Sequence, residues 1–415
     1  MTARAVVLAA AIGAATTSPA AARQVTSAAL VDPDLTVGAG ATLVATMGAA
    51  LARAEDAVVP HRLFAERGTL RRTANVAFRL LKFSLFDAPQ EQVLLVVNHE
   101  LFGHGARLRE RFDGPIGYRI HAPPPYGRGG ASTFFVFDRA PTHYERLAVS
   151  AAGMEADAVA AALVAHRAFS ERRIRARDAL RYLAFELDTL SYVSSTDDDE
   201  EPGHDVADFL ETYNDLAAAT AAPGLTSRTL RREVLVGLAN PMLVYAAYGI
   251  GRYLWNGATH VGVPALSIAG VRYLPMVRYR LAPYGTEWAL VNELGGAVRP
   301  TEVELRIGRS PHATPWAIGI RQRELTRWRG WGLDASLEIW RQPGLAGATG
   351  ETPMTSTRLG AQVRGRAERP LVPVWFSAHA ATFIIDVGVK AAGFVPGEPL
   401  RAGLVARAGV GFPLQ

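Results

Sequence analysis

Two histidines and a glutamate lie close together in the segment His99-Glu100-Leu101-Phe102-Gly103-His104. Neutral imidazole nitrogens bind zinc, and a glutamate beside the first histidine can act as general base toward a metal-activated water. In the common zinc-peptidase signature the histidines are four residues apart and share one helical face. Here they are five apart, which in a regular helix turns the rings about 140° away from each other. The segment therefore predicts a metal site only if the helix is locally distorted.

The sequence around His104 indicates where the helix would be distorted. Asp87 and Gln90 have the spacing of a capping box, so we expect a helix over residues 88–111. A one-residue π-bulge in that helix would turn both histidines to the same side. Glycines stand on both sides of His104, where the backbone is easiest to distort.

A third ligand is expected on a second helix. Thr142 and Glu145 also have capping-box spacing and predict a helix to about Phe169. Within it, Glu155 is a carboxylate on a stripe of alanines, and a buried carboxylate without a partner is costly. The sequence therefore predicts Glu155 as the third zinc ligand, with the fourth position left for water. Asp157 is the alternative ligand, or a residue that orients a ligand from behind.

The segment from His99 to His104 resembles the extended HExxxH motif of the dipeptidyl peptidase III family of zinc peptidases, which typically reads His-Glu-Leu-Leu-Gly-His. The resemblance covers these six residues. It implies that His99 and His104 bind zinc, that Glu100 activates water, and that a glutamate on a downstream helix completes the ligand set. It also implies a peptide or protein substrate, while ester hydrolysis stays open. The β-rich C-terminal half is foreign to that family.

Other polar residues in the N-terminal half could also contribute to the site, but their spacing along the chain does not favour any one of them. They are candidate donors to a transition state: Tyr126 in the Pro/Gly-rich loop 123–130, His143, Tyr144 and His204. The acidic segment 194–205 is expected to be a solvated loop, with calcium binding as the weaker alternative because EF-hand spacing is missing.

Composition limits the class of protein. Residues 1–22 have the form of a secretory signal peptide, so the chain is expected to be exported. The chain contains no cysteine, which excludes disulfides, thiolate metal sites and a lipid-modified cysteine. Its 44 basic residues are scattered along the chain, which argues against a nucleic-acid partner.

We expect an α+β protein, with a helical zinc-binding domain over residues 23–268 that includes a buried, kinked helix over 234–254.

Residues 269–415 are expected to form an antiparallel β domain. Hydrophobic and polar residues alternate along seven or eight segments, most regularly from Ala402 to Phe412. The favoured interpretation is an outer-membrane-type barrel whose apolar face, including Leu404, Ala406, Ala408 and Val410, meets lipid. Inward-facing arginines would then need acidic partners. The arginines are Arg306, Arg358, Arg364 and Arg407, and the candidate partners are Glu302, Glu304 and Glu338. A water-soluble barrel or sandwich with the apolar face inside is the alternative.

Two functions follow from these patterns. The first is an exported zinc metallopeptidase of a Gram-negative-type cell, located in the periplasm or held in the outer membrane by its barrel. The second is a non-catalytic outer-membrane structural or binding protein that carries a zincin-like helix pair.

Overall fold

The computed structural model describes residues 27–65, 68–197, 203–296, 299–345, 356–371 and 381–412. The expected signal peptide over residues 1–22 lies outside them. A helical N-terminal part precedes a large antiparallel sheet, so the mixed helical and β class is confirmed.

The helices are α1 Val37–Val58, α2 Thr69–Lys82, α3 Ala88–Val97, α4 Gly105–Arg111, α5 His143–Glu171, α6 Ala176–Glu186, α7 Asp188–Ser195, α8 Asp205–Ala219, α9 Ser227–Val234 and α10 Pro241–Asn256. Two π-helical segments, Phe83–Asp87 and Asn98–His104, join α2, α3 and α4 into one continuous helical stretch. The predicted helix over 88–111 is present, but it does not begin at a capping box. Asp87 makes no capping hydrogen bond, and its carboxylate pairs with Lys82 at 2.7 Å and Arg177 at 2.6 Å.

The capping box that begins α5 is confirmed. The Thr142 hydroxyl accepts from the backbone N–H of Glu145, whose carboxylate in turn accepts from the backbone N–H of Thr142. The helix ends at Glu171, two residues beyond the predicted end.

The strands are β1 Ser27–Val31, β2 Ile116–Ile120, β3 Ala131–Phe135, β4 Arg173–Arg175, β5 His260–Gly262, β6 Leu266–Ile268, β7 Val271–Ala282, β8 Gly285–Gly296, β9 Thr301–Arg309, β10 Trp316–Trp328, β11 Trp331–Pro343, β12 Thr357–Pro370, β13 Thr382–Lys390 and β14 Gly403–Phe412. Ten of them form one sheet in the order β1-β14-β13-β12-β11-β10-β9-β8-β7-β6. Successive strands are joined as antiparallel neighbours from β6 to β14, and β1 adds to β14.

The prediction of a closed barrel is wrong. The sheet is open, because β1 and β6 are its two edges and do not pair with each other. Two of its strands, β1 and β6, precede residue 269, so the sheet takes residues from the segment assigned to the helical domain.

The two faces of the sheet differ in chemistry. Helix α5 packs on the inner face, where His166 contacts Glu293 of β8 and the Ala158 carbonyl accepts from Arg278 of β7. Ion pairs fill much of the remaining inner face, for example Arg407 with Asp32 at 2.9 Å. Of the four arginines expected to point inward, Arg306, Arg364 and Arg407 pair there with acidic groups. The fourth, Arg358, is exposed.

Helix α10 follows a sharp bend. The axis turns by 68° between the segment Ser227–Ala239 and Pro241–Asn256, which confirms the kink expected from Asn240-Pro241. The helix is less buried than expected, since Val244 and Trp255 are exposed. Two other helices, α1 and α5, are long and apolar enough to cross a membrane, although 61% and 72% of their most apolar windows are buried within the protein.

Candidate metal centre

The π-helical segment Asn98–His104 brings the two histidines together. Its wider turn absorbs the fifth residue of the spacing, so both rings lie on the same side of the helix with their centroids 5.0 Å apart. The Nε2 atoms of His99 and His104 lie 3.0 and 3.2 Å from one oxygen, Oδ2 of Asp205. The predicted π-bulge is therefore confirmed.

The opposite nitrogen of each ring is held by the surrounding protein. Nδ1 of His104 donates to the carbonyl of Val149 at 2.8 Å, and Nδ1 of His99 lies 3.1 Å from Asp157. Such bonds place the proton on Nδ1 and leave the lone pair of Nε2 for a metal. Asn98 fixes Asp157 in turn through a 2.8 Å hydrogen bond. Asp157 therefore occupies the orienting position that was predicted as its alternative role.

The two helices that carry these groups approach closely at a pair of glycines. A Cβ on Gly103 would lie 2.6 Å from the backbone of α5, and one on Gly153 would lie 2.1 Å from Nε2 of His99. A side chain at Gly103 would push the helices apart, and one at Gly153 would displace either the His99 ring or the helix. These glycines therefore allow the histidine rings to lie against α5.

Asp205 is the carboxylate that meets both histidines, and the sequence did not single it out. It is the first residue of α8 and the last residue of the acidic segment 194–205, which was interpreted as a solvated loop. The side chain is 20% exposed, whereas His99 and His104 are almost fully buried. The His99, His104 and Asp205 ligand atoms lie within 4.8 Å of one another, and the partial exposure leaves a route for a further ligand.

Glu155, the predicted third ligand, lies elsewhere. It is buried, but its carboxylate forms a bidentate pair with Arg107, at 2.6 Å from Nη2 and 3.1 Å from Nε. The same carboxylate accepts from the backbone N–H of Gly397 at 2.9 Å. The alanine stripe correctly indicated a buried carboxylate that needs a partner, but its cation is a guanidinium.

Glu100 lies on the same π-helical segment as the histidines. Its carboxylate accepts a 2.6 Å hydrogen bond from the hydroxyl of Thr133 in β3. The residue is 6% exposed. Burial opposes the charged form of His104, but the charge and hydrogen bond of Asp205, with a smaller contribution from the charge of Glu100, raise the pKa of His104. A carboxylate held in this way can accept and return a proton beside the two rings.

Acidic groups dominate the electrostatics of the site. Burial disfavours the charged form of His99, yet the hydrogen bonds that its ring donates to three aspartates, Asp157, Asp188 and Asp205, raise its pKa well above the usual value. Burial also opposes ionisation of Asp205, but the charge of His104 and hydrogen bonds from both histidines hold its pKa far below the usual range. Positive charge is therefore stabilised where the rings meet Asp205.

A second acidic group lies behind His99. Burial and the charge of Asp188 raise the pKa of Asp157 to about 7, and Oδ2 of Asp188 lies 3.3 Å from Nδ1 of His99. These two carboxylates and Nδ1 of His99 could also surround an ion. All three residues are buried, so an ion between Asp157, Asp188 and His99 would have no access to solvent. The group of His99, His104 and Asp205 has such access, because Asp205 is partly exposed.

The other candidate donors are not part of the centre. The Tyr126 hydroxyl donates to the carbonyl of Leu85, and Tyr144 contacts His312. His143 begins α5, several turns from the residues that contact His99. His204 lies nearer, because its ring packs on Tyr192, which stacks on His99 with centroids 5.1 Å apart.

The donor set suits a divalent cation. Two imidazole nitrogens and one carboxylate oxygen converge with oriented rings and excess negative charge, which matches the ligand types of zinc sites without identifying the ion. No family model, curated protein or solved structure matches this chain. The resemblance to the dipeptidyl peptidase III family accordingly rests on the six residues from His99 to His104.

Proposed function

We propose that this protein is an exported metal-dependent hydrolase, most simply a zinc peptidase, with its centre at His99, His104 and Asp205. The observation that carries the proposal is the convergence of both Nε2 atoms on one carboxylate oxygen across a π-helical turn. A π-turn is rare and tends to occur at functional sites. A purely structural pair of histidines would not need it.

Zinc bound by these three groups would supply a Lewis acid and lower the pKa of a water molecule. The protein's own residues would do the rest. Glu100 would accept the proton from water at its carboxylate and later deliver it to the leaving group, while the Thr133 hydroxyl fixes the orientation of that carboxylate. Asp157 and the Val149 carbonyl would keep the Nδ1 protons of the rings in place.

The neighbouring hairpin supports a peptide as substrate. Strands β2 and β3 form a sheet of two strands among the described residues, so β3 has an edge that is not paired with another strand. Thr133 of β3 touches Glu100, which places this strand beside the proposed general base. An extended peptide added to the β3 edge would therefore run past the site.

The decisive experiment compares Glu100→Gln with the wild type. Glutamine is nearly isosteric but cannot take a proton, so we expect zinc to remain bound while hydrolysis falls by about 10² to 10⁴ fold. Turnover of a peptide and ester library, with metal content measured on the same samples, checks this. The control is Glu211→Gln at an exposed position of α8, which should keep full activity. A wild type that binds metal but hydrolyses nothing in the library would favour the non-catalytic outer-membrane binding protein.

A further inference from the structure

The outer face of the large sheet is apolar and exposed across seven strands, β8 to β14. We propose that this face contacts the hydrocarbon interior of a lipid bilayer. The proposal is independent of the hydrolase function, because it concerns the face of the sheet opposite to the helices.

The pairing register shows that the apolar positions form continuous rows. One row runs Leu290–Leu305–Ile318–Ile339, each residue being the direct partner of the next on the neighbouring strand. A second row runs Leu337–Val363–Val389–Leu404. All eight side chains are exposed, with Leu404 at 70%. Water-soluble monomers rarely expose an apolar patch that extends over so many strands.

Polar groups on this face are placed where a bilayer would tolerate them. Charged side chains lie at strand ends, where Arg309, Arg341 and Arg369 are exposed. Asn292 interrupts the face on β8, but its amide accepts from Tyr273 at 2.8 Å and donates to the Val303 carbonyl at 3.1 Å. The face therefore offers no unpaired polar group in the middle of its strands among the residues described.

The length of the apolar run fits a membrane strand. On β14 it runs from Leu404 to Phe412, close to the roughly 9 to 11 residues that a tilted transmembrane strand needs. Membrane β-proteins also carry aromatic residues at the borders of their apolar band. Here Trp316, Trp331 and Phe412 stand at strand ends on this face.

The inner face has the opposite chemistry, as a membrane sheet requires. Arg407 alternates with Ala406 and Ala408 along β14 and is 5% exposed, paired with Asp32 and Glu398. A water-soluble sheet packed on helices would place its apolar side inward and its arginines in water. Strands β9 to β14 carry ion pairs on their inner face instead, whereas β7 and β8 also pack Met276 and Val291 into the helical core.

The open edges do not contradict the proposal. Unpaired strand edges are not tolerated in hydrocarbon. Beyond β1 the edge is covered by α1, where the Thr42 hydroxyl accepts from the backbone N–H of Leu30 at 3.0 Å. At the other side β6 is only three residues long, and β7 packs against the 3₁₀ helix Leu235–Ala239.

The absence of cysteine allows a direct test on the full chain. Single cysteines are introduced at Val363 or Val387 on the outer face, at Ser336 on the inner face and at Glu211 on α8, and each is labelled with an NBD fluorophore. The probe is a phosphatidylcholine vesicle whose acyl chains carry a nitroxide quencher. We expect the Val363→Cys and Val387→Cys labels to be quenched at least about twofold and the other two labels to be unaffected.

A charge substitution gives a second readout. Val363→Arg should lower binding to the same vesicles at least about tenfold, whereas Thr326→Arg, at an exposed position near the β10–β11 turn, should not. Circular dichroism confirms that each variant is folded. Unquenched outer labels, or wild type that stays in the aqueous phase, would overturn the proposal. So would outer labels that become buried with rising protein concentration in the absence of vesicles, which would identify the face as an interface between two copies.

Discussion

A buried carboxylate requires a cation or a proton, and helix α5 presents two such carboxylates within one turn. Asp157 faces His99 of the metal centre, while Glu155 faces Arg107. Burial alone does not distinguish these environments, because a buried carboxylate can be compensated either by a guanidinium or by a metal ion. The partner decides whether the residue supports stability or chemistry.

Glu155→Gln should therefore reduce stability without removing the metal. Breaking the buried pair leaves Arg107 with Glu110 as its remaining carboxylate, at 2.9 Å. We expect a loss of about 3 kcal/mol in the free energy of unfolding, measured by denaturant titration, with unchanged metal content in the folded protein. The comparison is Asp197→Asn, which breaks the exposed pair with Arg231 and should cost less than about 1 kcal/mol. Loss of metal together with unchanged stability would instead restore Glu155 as a ligand.

The residues of the site differ in how far the sequence could reveal them. His99, Glu100 and His104 were predictable because they are close in the chain, and their five-residue spacing required the π-turn that is observed. Asp205 was not, because it lies about a hundred residues later, where the acidic segment 194–205 ends and a helix begins. Its proximity to the histidines depends on how α8 packs against α5, which no local pattern encodes.

Helix α5 is the element that organises the centre. It contacts the histidine helix, α8 and the inner face of the sheet, and its position is fixed by a start signal and by a close approach at Gly153. The start signal could be predicted from local chemistry, since a capping box acts over one turn, whereas the close approach at Gly153 emerges only from the packed structure. Each can be changed separately.

Gly153→Ala should disturb the metal centre directly. The added methyl group would lie 2.1 Å from Nε2 of His99, so either the ring or the helix must move. We expect weaker zinc binding, seen in a metal titration, together with a lower free energy of unfolding. Gly251→Ala in α10 is the matched control, because a Cβ there meets nothing within 4 Å and removal of a helical glycine should stabilise by about 0.5 to 1 kcal/mol. Wild-type zinc affinity in Gly153→Ala would show that the close approach does not position His99.

The start of α5 should respond to pH. Burial opposes the charge of Glu145, but Arg139, the Thr142 backbone N–H and Arg111 lower its pKa from 4.5 to about 2. A depressed folded-state pKa stabilises the protein above the unfolded value of 4.5 and loses this effect as the pH falls toward 2. Because Arg139 is half exposed and screened, we expect roughly 1 to 2 kcal/mol rather than the full shift.

The measurement is the free energy of unfolding of wild type and Glu145→Gln at several pH values. The difference between them should be largest above about pH 5 and should shrink toward pH 2. A difference independent of pH across this range would mean that the carboxylate charge does not stabilise the helix start.

At the level of the whole molecule, the chain builds an open sheet whose inner face holds the helical part. The alternation of hydrophobic and polar residues along β7 to β14 was sufficient to predict antiparallel strands and inward-pointing arginines such as Arg407. It was not sufficient to predict closure, because pairing between first and last strands depends on long-range geometry. Strand β1 adds to β14 ahead of the helices, and α1 then covers its edge.

The metal centre lies near one end of this sheet. Glu155 of α5 accepts from Gly397, in the loop between β13 and β14, while His166 further along the helix contacts β8. If the outer face meets lipid, this arrangement would place the centre toward one border of the apolar band. Substrate would then reach it from the corresponding side of the membrane.

The most direct test of the central claim is zinc binding by Asp205→Asn, measured by equilibrium dialysis against a buffered zinc solution. Loss of an orienting partner typically costs 10- to 100-fold in metal affinity, so removal of a direct ligand should cost at least about a hundredfold. Wild type should bind one equivalent. Asp208→Asn, one turn further along the same helix, should bind like wild type. Equal zinc affinity in Asp205→Asn and wild type would contradict the assignment of His99, His104 and Asp205 as the metal centre.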